Sequence, residues 1–434
     1  MPQKRHSKFP WLTITKVSIV ALLAACSPVK KLAVGQDIQD ILRKSEVFSQ
    51  HHTGFSLYDI ADNSFVVTHN ANLLFTPASN TKLLTMYAAM QSFQDSIPAL
   101  LYQELENGVI VQPIGDPTFL LEDYNRQQAY QFLRQQDTIR IHLQEPPAPY
   151  GSGWAWDDYL YGFQAQRSWW PIYGNRIKIS REDSTVLITP NFFQDFTSIE
   201  MGDDTRVSRD VRFNAFQVGI DDTTQFEKRI PFVHDKDLLL ALLSDTLRSQ
   251  KFLLSTQPLV NPDTIYSQHI DTVLARMLKP SDNFLAEQLL LQSAWKQGFL
   301  EVAEYIGHMK NTELNSLGRI VWVDGSGLSR YNLISPNFQV RLLKKSLETY
   351  GWERLTTILP TGGEGTLEDL YLDEAPFIYA KTGTLSNNHN LSGFLITRSG
   401  KKMIFSLMNN HYTVPTIEIK RAMESLLMQI RDSY

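Results

Sequence analysis

Residues 76–90 read TPASNTKLLTMYAAM, and the rest of the chain is organised around this stretch. Pro77 suits the first turn of a helix, where a backbone N–H has no partner to lose. The residues from Leu83 to Met90 are mostly apolar on every side, which is typical of a buried helix. We therefore expect a helix that begins near Pro77 and lies at the centre of the fold.

The first turn of this helix carries a hydroxyl and an ammonium group, on Ser79 and Lys82. A spacing of three residues places both side chains on the same helix face. Burial lowers the proton affinity of a lysine, and a serine nucleophile needs a base beside it. The pattern predicts Ser79 as the nucleophile of an acyl-transfer reaction and Lys82 as its base.

The S-x-x-K pattern is a weak signal on its own, because it recurs at Ser27, Ser293 and Ser399. An ordinary solvated helix face explains most such pairs. Ser79 is preferred for its buried setting and for two later motifs that follow it in the chain.

Composition excludes several classes of function. The length of 434 residues favours two to three domains, and an apolar content of 43% is ample for a large core. A net charge of -5, with no basic run after the N-terminus, argues against nucleic-acid binding. Neither H-E-x-x-H nor a P-loop occurs, so we expect no metal and no cofactor.

Cys26 is the one cysteine of the chain and follows an N-terminal targeting signal. Residues 1–10 are basic and residues 17–25 are apolar, which is typical of a secretory signal that is too short to span a membrane stably. The sequence LAAC at 23–26 resembles a bacterial lipobox. We expect a lipidated Cys26 and an extracytoplasmic, periplasmic lipoprotein held at a membrane by its lipid anchor; plain signal cleavage is the alternative.

Hydrophobic periodicity divides the mature chain into two parts. A predicted hairpin at 54–60 and 64–68, three late strands and the helices between them indicate one α/β domain. Short strands and turns predict a mostly β insert, with one clear helix from Asp237 to Leu247. The predicted limits are 1–25 for the signal peptide, 26–35 for a lipidated tether, 36–95 and 265–434 for the split domain, and 96–264 for the insert.

Two later motifs complete a three-part pattern. Ser281 and Asn283 lie in P-S-D-N between two helical segments, where helix capping would be an ordinary role. Lys381 begins K-T-G-T at the end of an apolar strand, where a simple turn is the ordinary explanation. In this order S-x-x-K, S-D-N and K-T-G are the signature of penicillin-binding proteins and serine β-lactamases. Each motif also lies in the predicted structural context that it requires.

The resemblance covers nearly the whole mature chain. Residues 78–83 resemble the A-S-x-x-K-L core of the class C low-molecular-mass penicillin-binding proteins, the D-Ala-D-Ala carboxypeptidase/endopeptidase family. The further matches are G-D-P-T at 115–118, G-W-x-W-x-D at 153–158, L-K-P-S-D-N-F-L-A at 278–286, D-G-S-G-L-S at 324–329 and G-T-L at 365–367.

This resemblance implies both a fold and an activity. The expected fold is α/β, a split transpeptidase domain like that of serine β-lactamases and penicillin-binding proteins, with a mostly β inserted domain. The expected activity is that of a serine D-Ala-D-Ala carboxypeptidase or DD-endopeptidase on peptidoglycan stem peptides, with β-lactam antibiotics as covalent inhibitors. A β-lactamase-like hydrolase and an inactive cell-wall-binding lipoprotein of the same fold are the alternatives.

The resemblance also implies roles in the chemical step. Ser281 would pass a proton towards the leaving amine, and Asn283 would hold Lys82 and the substrate backbone by hydrogen bonds. The nearby charge of Lys381 would help burial to keep Lys82 neutral. The backbone N–H groups of Ser79 and Thr384 would form the oxyanion hole.

Substrate binding is expected at two places. Lys381, Thr382 and Thr384 would bind the terminal carboxylate, and Gly383 would let the substrate lie along the strand edge as an added strand. Asp158 is the best match for the acidic residue that faces the side-chain amine of the stem peptide. A surface carboxylate at a strand end is the alternative for Asp158.

Overall fold

The computed structural model describes residues 35–182, 185–202, 205–221 and 225–434. The predicted signal peptide and Cys26 lie outside these residues. The described helices are α1 (35–44), α2 (Glu46–Ser49), α3 (Lys82–Ser92), α4 (Gln128–Leu133), α5 (Lys236–Thr246), α6 (Ile270–Leu278), α7 (Asn283–Lys296), α8 (Val302–Asn311), α9 (Pro336–Tyr350), α10 (Trp352–Ile358) and α11 (Thr416–Ser433). The strands are β1 (His52–Asp59), β2 (Ser64–His69), β3 (Ser96–Leu105), β4 (Gly108–Pro113), β5 (Thr138–Ile141), β6 (Arg176–Glu182), β7 (Thr185–Thr189), β8 (Thr197–Met201), β9 (Arg206–Arg209), β10 (Phe216–Ile220), β11 (Glu227–Pro231), β12 (Lys251–Leu254), β13 (Asp263–His269), β14 (Ile378–Leu385), β15 (Asn388–Ile396) and β16 (Lys402–Asn410).

One antiparallel sheet joins strands from both ends of the chain, in the order β14-β15-β16-β1-β2. His52 of β1 pairs with Asn410 of β16, so the early hairpin continues directly into the three late strands. The predicted hairpin and the predicted late strands are confirmed. β14, which carries the K-T-G motif, lies at one edge of this sheet.

Helices cover both faces of the sheet. Successive side chains of a strand point to opposite faces. In β16, Phe405 and Leu407 pack with side chains of α1 and α11, whereas Ile404 and Met408 pack with side chains of α3, α6, α7 and α9. The sheet is therefore buried between two helical layers, and this mixed architecture agrees with the predicted fold class.

α3 is a buried helix, as the sequence predicts. Every residue from Lys82 to Met90 is buried, and the helix contacts α6, α7 and α9. A polar side chain on such a helix loses its water and needs partners inside the protein. This requirement determines the surroundings of Lys82.

The described residues between α3 and α6 form three further sheets. A five-stranded sheet has the order β12-β5-β4-β3-β13, and two three-stranded sheets have the orders β8-β10-β9 and β11-β6-β7. Ser96 in β3 pairs with His269 in β13, so the chain enters and leaves this region through adjacent strands. The domain limits 96–264 stay a prediction.

The prediction of a single clear helix in this region was incomplete. α5 lies where that helix was predicted, but α4 was missed. α4 has six residues, and its buried side chains, Ala129 and Leu133, form one i,i+4 pair. One such pair is too short a pattern to be recognised as helical periodicity.

Candidate active site

The nucleophile turn, Ala78–Thr81, is a short 3-10 helix that continues directly into α3. Two glycines let neighbouring segments approach it closely. A Cβ atom at Gly383 of β14 would lie 2.3 Å from the Pro77 carbonyl oxygen. A Cβ atom at Gly327, whose φ is +83°, would lie 1.9 Å from the Ala78 carbonyl oxygen. The turn is therefore held between β14 and the loop that contains Gly327.

Close packing on the nucleophile turn is a structural reason for glycine at position 383. The sequence pattern alone indicates a different reason, the path of a bound substrate along the strand. In the structure, the position of its missing side chain faces Pro77 and Asn80. Asn80 also donates a hydrogen bond of 2.9 Å from Nδ2 to the carbonyl of Lys381.

Lys82 is fully buried, and its Nζ has three hydrogen-bond partners. It lies 3.0 Å from Ser79 Oγ, 2.6 Å from Asn283 Oδ1 and 2.8 Å from the carbonyl oxygen of Ser326. A charged ammonium donates to all three. A neutral amine can keep the bonds to Asn283 and Ser326 and direct its lone pair towards the Ser79 hydroxyl. The geometry therefore suits a base that takes a proton from Ser79.

Burial lowers the pKa of Lys82 from its usual 10.5 to about 8, and the carboxylates of Asp282, Glu287 and Asp324 limit the shift. At pH 7, about one molecule in ten then carries the neutral amine. Burial is thus the largest cause of the lowered pKa of Lys82. The repulsion between the Lys82 and Lys381 charges also holds down the pKa of Lys381.

A buried ion pair supports the loop that binds Lys82. Glu287 of α7 accepts two hydrogen bonds from Arg167 through Oε2, at 2.9 Å and 2.6 Å. Its Oε1 accepts a 2.7 Å bond from the backbone N–H of Ser326, the residue whose carbonyl binds Lys82. The sequence analysis did not single out Glu287. A lone carboxylate within the apolar run of α7 was the available signal.

The P-S-D-N motif begins α7, as predicted. Asn283 is the first helical residue, and Asp282 caps the helix by accepting a 2.9 Å bond from the N–H of Leu285. Ser281 precedes the cap in the left-handed region, with φ 66°. In the described part of the chain, no hydrogen bond joins the Ser281 hydroxyl to Ser79 or Lys82. The structure thus brings Asn283 to Lys82, and Ser281 lies two residues before Asn283 on the loop.

Lys381 is completely buried and donates a 2.9 Å bond to the carbonyl of Thr382. Burial and the neighbouring Lys82 hold the pKa of Lys381 well below its usual value. In β14, Lys381 and Gly383 point to the face of the nucleophile turn, and Thr382 and Thr384 point to the other face. The Lys381 Nζ nevertheless lies 3.5 Å from Thr382 Oγ1, so its expected contact with a substrate carboxylate stays a prediction.

The two threonine hydroxyl groups of β14 each have a partner. Thr382 donates a 2.7 Å bond to the hydroxyl of Thr366, and the Thr384 hydroxyl lies 2.8 Å from Nδ1 of His389. Burial, with smaller contributions from the charges of Lys420 and Lys381, lowers the pKa of His389 to about 3, so its ring is neutral. The sequence analysis gave His389 no role, because no local pattern distinguishes it.

The tryptophan segment, residues 153–158, is anchored at one side chain. Trp154 Nε1 donates a 2.9 Å bond to Asp324 Oδ2, which also accepts the N–H of Ser329 at 2.7 Å. Asp324 Oδ1 accepts the N–H of Gly327 at 2.9 Å. Asp324 thus links the tryptophan segment to the loop that packs on the nucleophile turn.

Asp158 lies in the short 3-10 turn Trp156–Leu160 and is half-buried. Partial burial and the neighbouring Asp157 raise the pKa of its carboxyl group, which Arg330 opposes. In the described part of the chain its carboxylate has no hydrogen bond or ion pair, and Trp156 is 77% exposed. The acidic end of the segment is therefore available to a partner.

In the described residues, 35–182, 185–202, 205–221 and 225–434, there is no group of three or more His, Cys, Asp or Glu side chains that could hold a metal ion. The same residues also contain no helix with the length and apolar character needed to cross a bilayer.

Comparison with known protein families shows the family of this chain. Residues 34–192 and 242–430 match the D-Ala-D-Ala carboxypeptidase 3 (S13) family. The chain belongs to this family. Both matched segments of the S13 protein carry motifs of the site, whereas residues 193–241, which include β8 to β11, lie outside the match.

Individual relatives agree with the S13 assignment. The D-alanyl-D-alanine carboxypeptidase DacB of Haemophilus influenzae is 24% identical over 443 aligned residues, which cover 88% of this chain and 90% of that protein. The crystal structure of penicillin binding protein 4 (dacB) from Haemophilus influenzae has the same fold, with a TM-score of 0.71 and 22% identity over 91% of this chain and 98% of that one. Its complex with a novel β-lactam gives a TM-score of 0.66, at 20% identity over the same shares of both chains. The family resemblance and the fold class that the sequence predicts are both confirmed.

Proposed function

We propose that this S13 protein cleaves D-Ala-D-Ala peptide bonds of peptidoglycan stem peptides through an acyl-serine intermediate. The observation that carries the proposal is the 3.0 Å contact between Lys82 Nζ and Ser79 Oγ inside a buried set of hydrogen bonds. This contact pairs a nucleophile with a base whose pKa burial has lowered to about 8.

In the acylation step, Ser79 Oγ attacks the carbonyl carbon of the penultimate residue while neutral Lys82 accepts the hydroxyl proton. The new ammonium donates to Asn283 Oδ1 and the Ser326 carbonyl, which are already in place. The C–N bond of the tetrahedral intermediate then breaks, and the Lys82 ammonium returns its proton to the leaving amine by way of the Ser281 hydroxyl, which leaves Lys82 neutral again. Water hydrolyses the acyl-serine ester and regenerates Ser79.

Substrate would bind along the edge strand β14. An extended peptide adds to such an edge through backbone hydrogen bonds. The backbone N–H groups of Ser79 and Thr384 would stabilise the oxyanion, and the hydroxyls of Thr382 and Thr384 would bind the terminal carboxylate. At the other end, Asp158 would bind the cationic side chain of the stem peptide.

β-Lactam antibiotics are expected to acylate the same serine. The Haemophilus influenzae penicillin binding protein 4 has been solved in complex with a β-lactam, and its fold is that of this chain. Strained lactam carbonyls would take the position of the scissile peptide carbonyl beside Ser79.

The activity test uses purified protein and a pair of substrates. Stem pentapeptides should lose their terminal D-alanine, which mass spectrometry detects as a fixed mass loss, and Ser79→Ala should abolish this loss. The same measurement on crosslinked muropeptides separates carboxypeptidase from endopeptidase activity. Intact substrates after incubation with active, penicillin-reactive enzyme would contradict the proposal and favour a β-lactamase-like hydrolase.

We also propose that the protein is a periplasmic lipoprotein whose lipid is attached to Cys26. The support is the position of the single cysteine, directly after an apolar run of signal length. Cys26→Ser should move the protein from the membrane fraction to the soluble fraction of the cells that make it. Unchanged membrane retention of this variant would contradict lipidation at Cys26.

A further inference from the structure

A cavity of about 580 Å³ opens beside β14, on the face opposite the nucleophile turn. Thr382 and Thr384 line it from the strand, and Thr366 and His389 line it from neighbouring segments. These side chains supply hydroxyl groups and a neutral imidazole. They provide hydrogen bonds for an anion but no charge.

The K-T-G motif does not supply an exposed cation to this cavity. Lys381 is completely buried on the other face of β14 and bonds to the carbonyl of Thr382. Its Nζ also lies 3.5 Å from Thr382 Oγ1, so a carboxylate bound at Thr382 comes near Lys381. Burial and the neighbouring Lys82 lower the pKa of Lys381, which weakens Lys381 as a countercharge. Burial of an anion without a full countercharge is unfavourable, and a cation from another element would reduce this cost.

α11 places Lys420 and Arg421 on the wall of the same cavity. Neither forms an ion pair in the described part of the chain. Lys420 is half-buried and its charge acts on His389, the partner of Thr384, whereas Arg421 is exposed. Lys420 is thus the cation whose charge acts on the partner of a β14 hydroxyl group.

The acidic side chains on the cavity wall do not neutralise Lys420. Glu424, one turn along α11, accepts a 2.6 Å bond from the backbone N–H of Tyr371. Glu368 and Asp369 lie in an exposed loop. None of the three is within ion-pair distance of Lys420 in the described residues.

We propose that Lys420 is a specificity-determining residue that binds the free C-terminal carboxylate of the stem peptide, together with the hydroxyls of Thr382 and Thr384. This inference rests on the proposed function, because it assigns the cation of the same substrate site. It predicts that the enzyme distinguishes a free C-terminal acid from its neutral amide mainly through one lysine of the C-terminal helix.

The test compares a stem pentapeptide that ends in a free carboxylate with the same peptide as a C-terminal amide. Lys420→Gln should lower kcat/KM for the acid by roughly tenfold or more, the loss expected for a charge-assisted hydrogen bond. It should leave kcat/KM for the amide near that of the unchanged enzyme. Lys420→Arg should restore most of the preference for the acid, and Arg421→Gln is the matched control that should keep it.

Three results would overturn the inference. A kcat/KM for the acid in Lys420→Gln equal to that of the unchanged enzyme removes Lys420 from carboxylate binding. An equal fall for both peptides assigns Lys420 a structural role only. Loss of the preference in Arg421→Gln alone assigns the cation to Arg421. If the unchanged enzyme cleaves neither peptide, the proposed function fails and the inference fails with it. If the unchanged enzyme cleaves the peptides but one of the three results above is found, only the inference about Lys420 fails.

Discussion

The nucleophile turn and the tryptophan segment both contact the loop at 324–329, yet the protein surrounds them differently. Lys82, next to the nucleophile turn, is fully buried with three hydrogen-bond partners. The tryptophan segment is fixed at Trp154 and presents Trp156 and Asp158 to the surroundings. Formation of the acyl-serine bond requires a base within hydrogen-bond reach of the Ser79 hydroxyl proton. Recognition of a long cationic side chain requires a carboxylate that a substrate can reach.

Substitutions in these two regions should therefore have different effects. Changes around the nucleophile turn should damage stability or chemistry for every acyl donor. Changes at the exposed end of the tryptophan segment should affect only donors that carry the matching side chain. The four predictions below follow this division.

The largest expected effect is on stability, at the buried pair of Arg167 and Glu287. Glu287→Gln leaves the buried Arg167 guanidinium without a countercharge, which costs about 3–5 kcal/mol of the free energy of unfolding. Denaturant titration followed by tryptophan fluorescence measures this loss. Glu348→Gln, which breaks an exposed i,i+4 pair with Lys344, is the control and should change little. Similar losses in both variants would contradict the structural importance of the buried pair.

The second prediction concerns the base. Lys82→Arg keeps a positive charge but cannot supply a neutral amine, because a guanidinium stays protonated. Acylation by a labelled penicillin should slow on the order of a hundredfold or more. Stopped-flow or gel-based labelling rates at pH 8 provide the measurement. A near-normal rate in the arginine variant would rule out Lys82 as the base.

The third prediction concerns recognition. Asp158→Asn removes the carboxylate that we expect to pair with the side-chain amine of the stem peptide, without touching Ser79. Cleavage of amine-bearing peptides should fall roughly five- to a hundredfold, while the rate of penicillin acylation stays near normal. An equal fall in both rates would make Asp158 structural. If neither rate changes, Asp157 is the next residue to test.

The fourth prediction concerns pH. Because burial lowers the pKa of Lys82 to about 8, the neutral base is scarce at pH 7 and predominant at pH 9. The acylation rate constant should therefore rise about tenfold between pH 7 and pH 9 and then level off. Asp158→Asn should leave this profile unchanged. A rate that is flat across this range in the unchanged enzyme would contradict the assigned base.

Local patterns were enough to predict the central parts of the site. The three-residue spacing of Ser79 and Lys82, the apolar helix behind them and the order of the three motifs can all be read along the chain. The early hairpin and the late strands followed from short apolar runs bounded by turn residues. The pairing of these segments across most of the chain then places Asn283 and β14 beside the nucleophile turn.

Other parts depend on contacts between distant residues that no local pattern records. Glu287 supports Ser326, and Asp324 holds Trp154, which lies 170 positions earlier. The burial of Lys381 is a further feature of this kind. Strand alternation puts its side chain on the face of Gly383, towards the nucleophile turn. Its Nζ still lies 3.5 Å from Thr382 Oγ1, and its role in binding a carboxylate stays a prediction.

The central claim is that Ser79 is the acylated residue. Incubation with a labelled penicillin, followed by proteolysis and mass spectrometry, identifies the modified peptide and the modified side chain. The predicted result is one adduct, on Ser79, which is absent in Ser79→Ala. Label on another residue of the unchanged enzyme, or label that persists in Ser79→Ala, would contradict the claim.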